Sequence, residues 1–135
     1  MHIRSVLPHE VEEVRALLRE SGWAHRAADL ERLEELLANS QVALVAVEDQ
    51  GGVIGFVRAL TDGISNGYVS MLAVREARRG QGVATALMRE CMGTNPKMTW
   101  VLRAGRPGLT AFYERLGFKV SSVAMERTRQ REGDA

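Results

Sequence analysis

The heptapeptide Arg79-Gly80-Gln81-Gly82-Val83-Ala84-Thr85 sets two glycines one residue apart, between an apolar run ending Leu72-Ala73-Val74 and the apolar Ala86-Leu87-Met88. With a strand before it and a helix after it, this segment is the amino end of the helix. There the first backbone N–H groups have no internal partner, and the helix dipole adds partial positive charge. Glycine lets an anion approach the backbone without a Cβ in the way, and Ala84 is the next-smallest residue. The chemistry such a segment performs is phosphate or pyrophosphate binding. A tight strand-to-helix turn needs glycine for steric reasons too, so the pattern alone leaves both readings open. A dinucleotide fingerprint fits less well, because Thr85 stands where its third glycine would be, and no Gly-Lys-Ser/Thr follows to make a P-loop. Arg75, Arg78 and Arg79 cluster beside it, with Arg103 and Arg106 further on. Such a cluster suits a small polyanion, or a solvated surface.

A second group able to do chemistry is Tyr113. It lies with Leu109, Phe112 and Leu116 on what would be one helical stripe, so its phenol is either a core side chain or a hydrogen-bond donor in a site. Cys91, within Leu87-Met88-Arg89-Glu90-Cys91, reads as a small apolar residue packed inward rather than as a nucleophile. For a general base the candidates are Asp62, Tyr68, Ser70 and His25, none singled out by its spacing. Trp23, Trp100 and Tyr68 could wall a pocket, although Trp23 after a helix equally makes a plug and Trp100 a core residue.

The elements that must position these groups follow from periodicity. His2 to Val6 predicts a short strand. Val11, Val14, Leu17 and Leu18 have helical spacing, as do Leu30, Leu33, Leu36 and Leu37. Val42–Val47 and Val53–Leu60, joined by Asp49-Gln50-Gly51-Gly52, predict a hairpin. Tyr68–Val74 is a longer strand, Val83 onward a helix broken at Asn95-Pro96, and Met98–Leu102 another strand. A helix over Leu109–Leu116 is closed by Gly117, and Val120, Val123 and Met125 predict one or two closing strands within Phe118–Arg127.

Bulk numbers agree with one compact domain. The chain has 135 residues, 45% hydrophobic and 26% charged, with 18 Lys+Arg against 17 Asp+Glu. A formal net charge of +1 gives no reason to expect a nucleic-acid partner. No apolar run approaches the roughly 20 residues that span a bilayer, so no membrane partner is expected. The single cysteine fits a reducing compartment, and the expected location is cytoplasmic. A homodimer is compatible with the chain, although no heptad or apolar stripe specifies one.

The run Leu72-Ala73-Val74-x4-Arg79-Gly80-Gln81-Gly82-Val83-Ala84 resembles motif A of the GNAT superfamily of N-acetyltransferases, and Ala111-Phe112-Tyr113-Glu114-Arg115-Leu116-Gly117-Phe118 resembles its motif B. The two motifs stand in the family's order, and the resemblance covers roughly residues 42–127. It implies an α/β fold with a mixed central sheet of six to seven strands flanked by four helices and splayed at the cofactor site. It implies one catalytic domain over 1–127 and a polar tail over 128–135. Acetyl-CoA would be the cosubstrate, with no metal. Leu72, Ala73 and Val74 would line the pantetheine, the Leu72 region offering an N–H to the thioester carbonyl. Arg79, Gly80, Gln81, Gly82, Val83, Ala84 and Thr85 would hold the pyrophosphate, with Arg78 able to add charge. Tyr113 would serve the leaving sulfur, more economically as a hydrogen-bond donor than as a full acid: a phenol near 10 protonating a thiolate near 8.5 is uphill by about 2 kcal/mol. The acceptor would be a primary amine of a small molecule or peptide, attacking directly in a ternary complex. Met71 stands where many relatives carry a carboxylate, and Arg106 where they often carry asparagine. A non-catalytic acetyl-CoA-binding regulatory module is the alternative, and a nucleotide-phosphate binder a third reading.

Overall fold

The computed structural model describes residues 1–23 and 29–130. Its contacts divide into two units, Met1–Arg103 and Ala104–Ala135. The first carries β1 (His2–Ser5), α1 (Val11–Glu20), α2 (Leu30–Ala38), β2 (Val42–Val47), β3 (Val53–Thr61), β4 (Asn66–Val74), α3 (Val83–Met92) and β5 (Thr99–Val101). The second carries α4 (Leu109–Glu114). With these four α-helices and a mixed five-stranded sheet among the described residues, the fold is the α/β class expected.

The strands lie in the order β1-β2-β3-β4-β5. The first four are antiparallel neighbours, and β5 joins β4 in parallel. Helices α1 and α2 form because each presents one apolar stripe. Val14, Leu17, Leu18 and Leu33 are fully buried against Val45, Phe56 and Met71 of the sheet. Burying each such side chain contributes about 1.5–3 kcal/mol. Asp29 caps α2, its carboxylate accepting the N–H of Glu31 at 2.9 Å. Trp23 packs partly buried on the same core and is a plug there. An ion pair fastens the chain before α1: Arg4 donates to both oxygens of buried Glu10, at 2.8 and 2.7 Å.

Helix α3 buries Val83, Leu87, Met88 and Cys91. Its first turns approach β3 closely because position 55 is glycine. A Cβ there would stand 2.8 Å from Leu87 Cδ1 and 2.9 Å from Val83 Cγ1. Cys91 is buried as expected, and burial raises its thiol to about 11, far from a thiolate.

Two expectations need correction. The sheet has five strands among the described residues, not six to seven, because Phe118–Arg127 forms no strand. Ser121 Oγ accepts the N–H groups of Val123 and Ala124 at 3.1 and 2.9 Å. That turn occupies amides a ladder would need, and it leaves Val120, Val123 and Met125 exposed. Strand β5 is also shorter than the sequence suggests, three residues instead of five. No helix among the described residues is long and apolar enough to cross a membrane.

Candidate functional site

Strand β4 is paired along almost its whole length on one side and barely on the other. It matches β3 from Gly67 to Val74, but β5 only at Asn66–Tyr68. Beyond Tyr68 no rung joins β4 to β5, so the splay that the motif implies is present, and Leu72, Ala73 and Val74 lie along the open edge. The start of the opening is fixed by Gly67, over which the Trp100 ring lies so closely that a Cβ would meet it at 2.3 Å. Trp100 is therefore a half-buried structural residue at the point where the strands part.

The chain leaves β4 through a short 3-10 turn, Glu76–Arg78, and enters α3 at Gly82. Gly80 and Gly82 have φ of 76° and 86°, a region that a side chain disfavours, and nothing stands within 4 Å of a Cβ built at either. No side chain caps α3. The first amide after Arg79 to find a backbone acceptor is that of Ala86, which donates to Gly82 at 3.0 Å. The N–H groups of Gly80, Gln81, Gly82, Val83, Ala84 and Thr85 thus have no partner among the described residues, at the positive end of the helix. A bare loop of amides with open space before it fits a pyrophosphate.

The arginines beside this cradle are not equally available. Arg78 pairs with Glu48, and Arg75 donates to the carbonyl of Val53 at 2.9 Å. Arg79 lies back on the carbonyl of Val74 at 3.2 Å through Nε. Of the two expected to add charge, Arg78 already has a carboxylate partner, whereas Arg79 is held only by a neutral carbonyl.

Tyr113 lies in the second unit. It is 8% exposed, packed edge-on by Phe112 at 5.0 Å and Phe118 at 5.8 Å between ring centres. The local sequence explains the packing: Gly117, at φ 96°, closes α4 so that Phe118 donates its N–H to the Tyr113 carbonyl at 3.1 Å. Burial raises the phenol above its ordinary value, and its hydroxyl has no hydrogen-bond partner among the described residues. It is a protonated donor at any ordinary pH.

The candidate bases fare differently. The Asp62 carboxylate accepts the Ser65 hydroxyl at 2.7 Å and the N–H groups of Ile64, Ser65 and Asn66, which hold it far below the usual carboxylate range. It organises its loop and is a poor proton acceptor. His25 lies outside the described residues. Met71 is 1% exposed in the core, so the strand position associated with a carboxylate is apolar. Ser70 is the extra residue of a β-bulge: Arg58 faces Met71 and Ala59 faces Val69, leaving Ser70 unmatched. Its hydroxyl accepts from Arg58 Nη1 at 2.9 Å. Sequence reasoning passed over Arg58, although a cation inside Val53–Leu60 was a visible anomaly.

A family model for the acetyltransferase (GNAT) domain matches residues 39–120, a span that contains the open strand, the cradle and α4. The chain belongs to the GNAT acetyltransferase family. This GNAT domain is similar to the ARD1 subunit homologue of an N-terminal acetyltransferase complex in Dictyostelium discoideum, 29% identical over 103 residues. That match covers 70% of the present chain, which spans about half the length of that relative, 51%. A GNAT-family acetyltransferase of Streptococcus pneumoniae shares the fold with a TM-score of 0.77 at 24% identity, covering 97% of this chain and 96% of that one. An aminoglycoside 6'-N-acetyltransferase solved with coenzyme A gives a TM-score of 0.58 at 28% identity, over 67% of this chain and 53% of its own.

Proposed function

We propose that this protein is an N-acetyltransferase that moves the acetyl group of acetyl-CoA to a primary amine of a small molecule or peptide, by direct attack in a ternary complex. The observation that carries the reading is the run of unpaired amides from Gly80 to Thr85 beside an open edge of β4. A tight turn needs the glycines, but it does not need a strand edge without a partner next to it. Coenzyme A bound to a similar protein supports the choice of an acyl-CoA over other nucleotides.

In this reading Leu72, Ala73 and Val74 extend the sheet toward the pantetheine amides, and the Leu72 N–H polarises the thioester carbonyl. Arg79 and the amides of Gly80 to Thr85 hold the pyrophosphate. Acetyl-CoA supplies an acetyl thioester, whose C–S bond breaks as the amine's C–N bond forms, the proton lost by the amine nitrogen ending on the CoA sulfur. Tyr113 donates its hydroxyl to the sulfur, a role that suits a buried phenol whose hydroxyl is uncommitted. One domain over 1–127 carries these residues. A specific observation favours the second reading, a non-catalytic acetyl-CoA-binding module: buried Met71 supplies no base.

Thermal unfolding with acetyl-CoA, CoA, ATP and NAD tests the binding half. Ligand at a hundredfold over its Kd stabilises by about 2.7 kcal/mol, roughly 10 °C for a chain of this size. A rise with the two CoA species alone is expected, and no rise with them would end the acyltransferase reading. Turnover with any amine then separates enzyme from module.

A further inference from the structure

Arg58 is the one buried cation among the described residues. It is 7% exposed on β3, between Val57 and Ala59 and across from Met71. Its Nε donates to Ser40 Oγ at 2.7 Å and its Nη1 to Ser70 Oγ at 2.9 Å, both neutral hydroxyls. No carboxylate of the described residues lies within ion-pairing distance of it. A guanidinium has five N–H donors, and these two bonds leave three uncommitted. The Ser40 hydroxyl in turn donates to the carbonyl of Leu36 at 2.6 Å, so the chain of bonds ends on the carboxyl end of α2. That helix end carries about half a negative charge and offsets part of the cation's charge. An ion taken out of water without a charged partner is disfavoured. The helix therefore answers part of Arg58's charge, and the three uncommitted donors are what remains to pair with an anion.

Its position says what that anion belongs to. Ser70, which Arg58 grips, is the bulged residue of β4, and from Val69 onward no strand of the described residues pairs with β4 on its β5 side. The cation thus stands one strand in from the edge assigned to the acyl group, and beside the apolar position of Met71. Tyr68 lies within electrostatic reach of it. Planar, bidentate pairing with a carboxylate is what a guanidinium with free donors does best.

We propose that Arg58 determines acceptor specificity by pairing with a carboxylate carried by the amine substrate, so that the acceptor is an amino acid or another amine bearing a carboxylate, not a polycation. The assignment rests on the acyltransferase reading above. Like charge at Arg58 disfavours polyamine acceptors, and a neutral amine leaves the cation unpaired.

The test uses matched pairs of α-amino acids and their carboxamides, with a polyamine as a third probe, on wild type, Arg58→Gln and Arg58→Lys. Acetyl transfer and thermal shift in the presence of CoA are both read, so that binding is measured without turnover. In wild type the preferred amino acid is expected to beat its carboxamide at least tenfold in kcat/KM and to give the larger shift. Arg58→Gln abolishes that discrimination, chiefly through KM, and Arg58→Lys restores part of it. All three proteins keep the stabilisation by CoA, which certifies that each is folded with its cradle intact. The proposal is overturned when wild type treats every acid and its carboxamide alike in both readouts, or when Arg58→Gln lowers both members of a pair in equal proportion. Loss of the CoA shift in wild type would instead strike the acyltransferase reading itself.

Discussion

Replacing Gly82 separates the electrostatic function of the cradle from its backbone geometry. Position 82 has φ 86° and open space in front of it, so a side chain there meets strain but no clash. The strain of a left-handed residue is about 1–2 kcal/mol, which for 135 residues is roughly 4–8 °C in Tm. Gly82→Ala carries only that penalty, and the amides keep their direction. Gly82→Glu adds a carboxylate at the amino end of α3, which interacts favourably with the helix by about 0.3–1 kcal/mol in the free protein. The glutamate variant should therefore be at least as stable as the alanine one. Against a pyrophosphate the same carboxylate is repulsive, by about 4 kcal/mol for unit charges 4 Å apart at an effective dielectric of 20. That is about a thousandfold in affinity. Thermal unfolding of the three proteins, with and without CoA at a hundredfold over the wild-type Kd, reads both effects. Wild type and Gly82→Ala are expected to gain several degrees with CoA, and Gly82→Glu none. A glutamate variant that retained the full CoA shift would show that no phosphate sits on these amides.

Three further outcomes follow from particular contacts. Gly55→Ala pushes a Cβ to within 3 Å of Leu87 and Val83, so it should cost about 1–3 kcal/mol by chemical denaturation and weaken CoA binding by moving the first turn of α3; a neutral substitution would mean that α3 is not held by this approach. Glu10 is held below its ordinary value chiefly by its hydrogen bonds from Arg4, opposed by burial and aided by the Leu7 amide. A depressed carboxylate stabilises the fold above its unfolded value near 4.3 and loses that contribution as pH falls through the folded value. Glu10→Gln should remove this acid-sensitive part of the stability curve and cost about 2 kcal/mol at pH 7, and unchanged acid titration of stability in the variant would refute it. Tyr113→Phe should lower kcat by one to three decades with little change in the KM for acetyl-CoA, and full turnover would take Tyr113 out of the chemistry.

What was legible in the sequence was whatever depends on local pattern. Two glycines before a helical stripe marked a turn with open amides at the start of α3, because positive φ and open amides are properties of a few consecutive residues. Gly117 after Leu116 marked the end of α4 for the same reason. Features that depend on a partner strand were not legible. The bulge at Ser70 exists only in the register of β4 against β3, and the extent of β5 only in its pairing with β4. The alternation Val120, Val123, Met125 suggested a strand, but Ser121 captures two of the amides it needs. Asp62 looked like a base until its four hydrogen bonds showed it to be the anchor of its own loop. Arg58 was visible as a charge in an apolar run, and only the structure shows that no carboxylate of the described residues answers it.

The central claim is transfer of an acetyl group to an amine, and the direct measurement is mass balance. Purified protein is incubated with acetyl-CoA and a panel of amines, and free thiol and acetylated amine are quantified together. Enzyme-dependent release of CoA thiol in one-to-one proportion with a new N-acetyl product is expected for at least one amine, and is lost in Gly82→Glu. Binding of acetyl-CoA with no product from any amine would contradict it and leave a protein that only holds the cofactor.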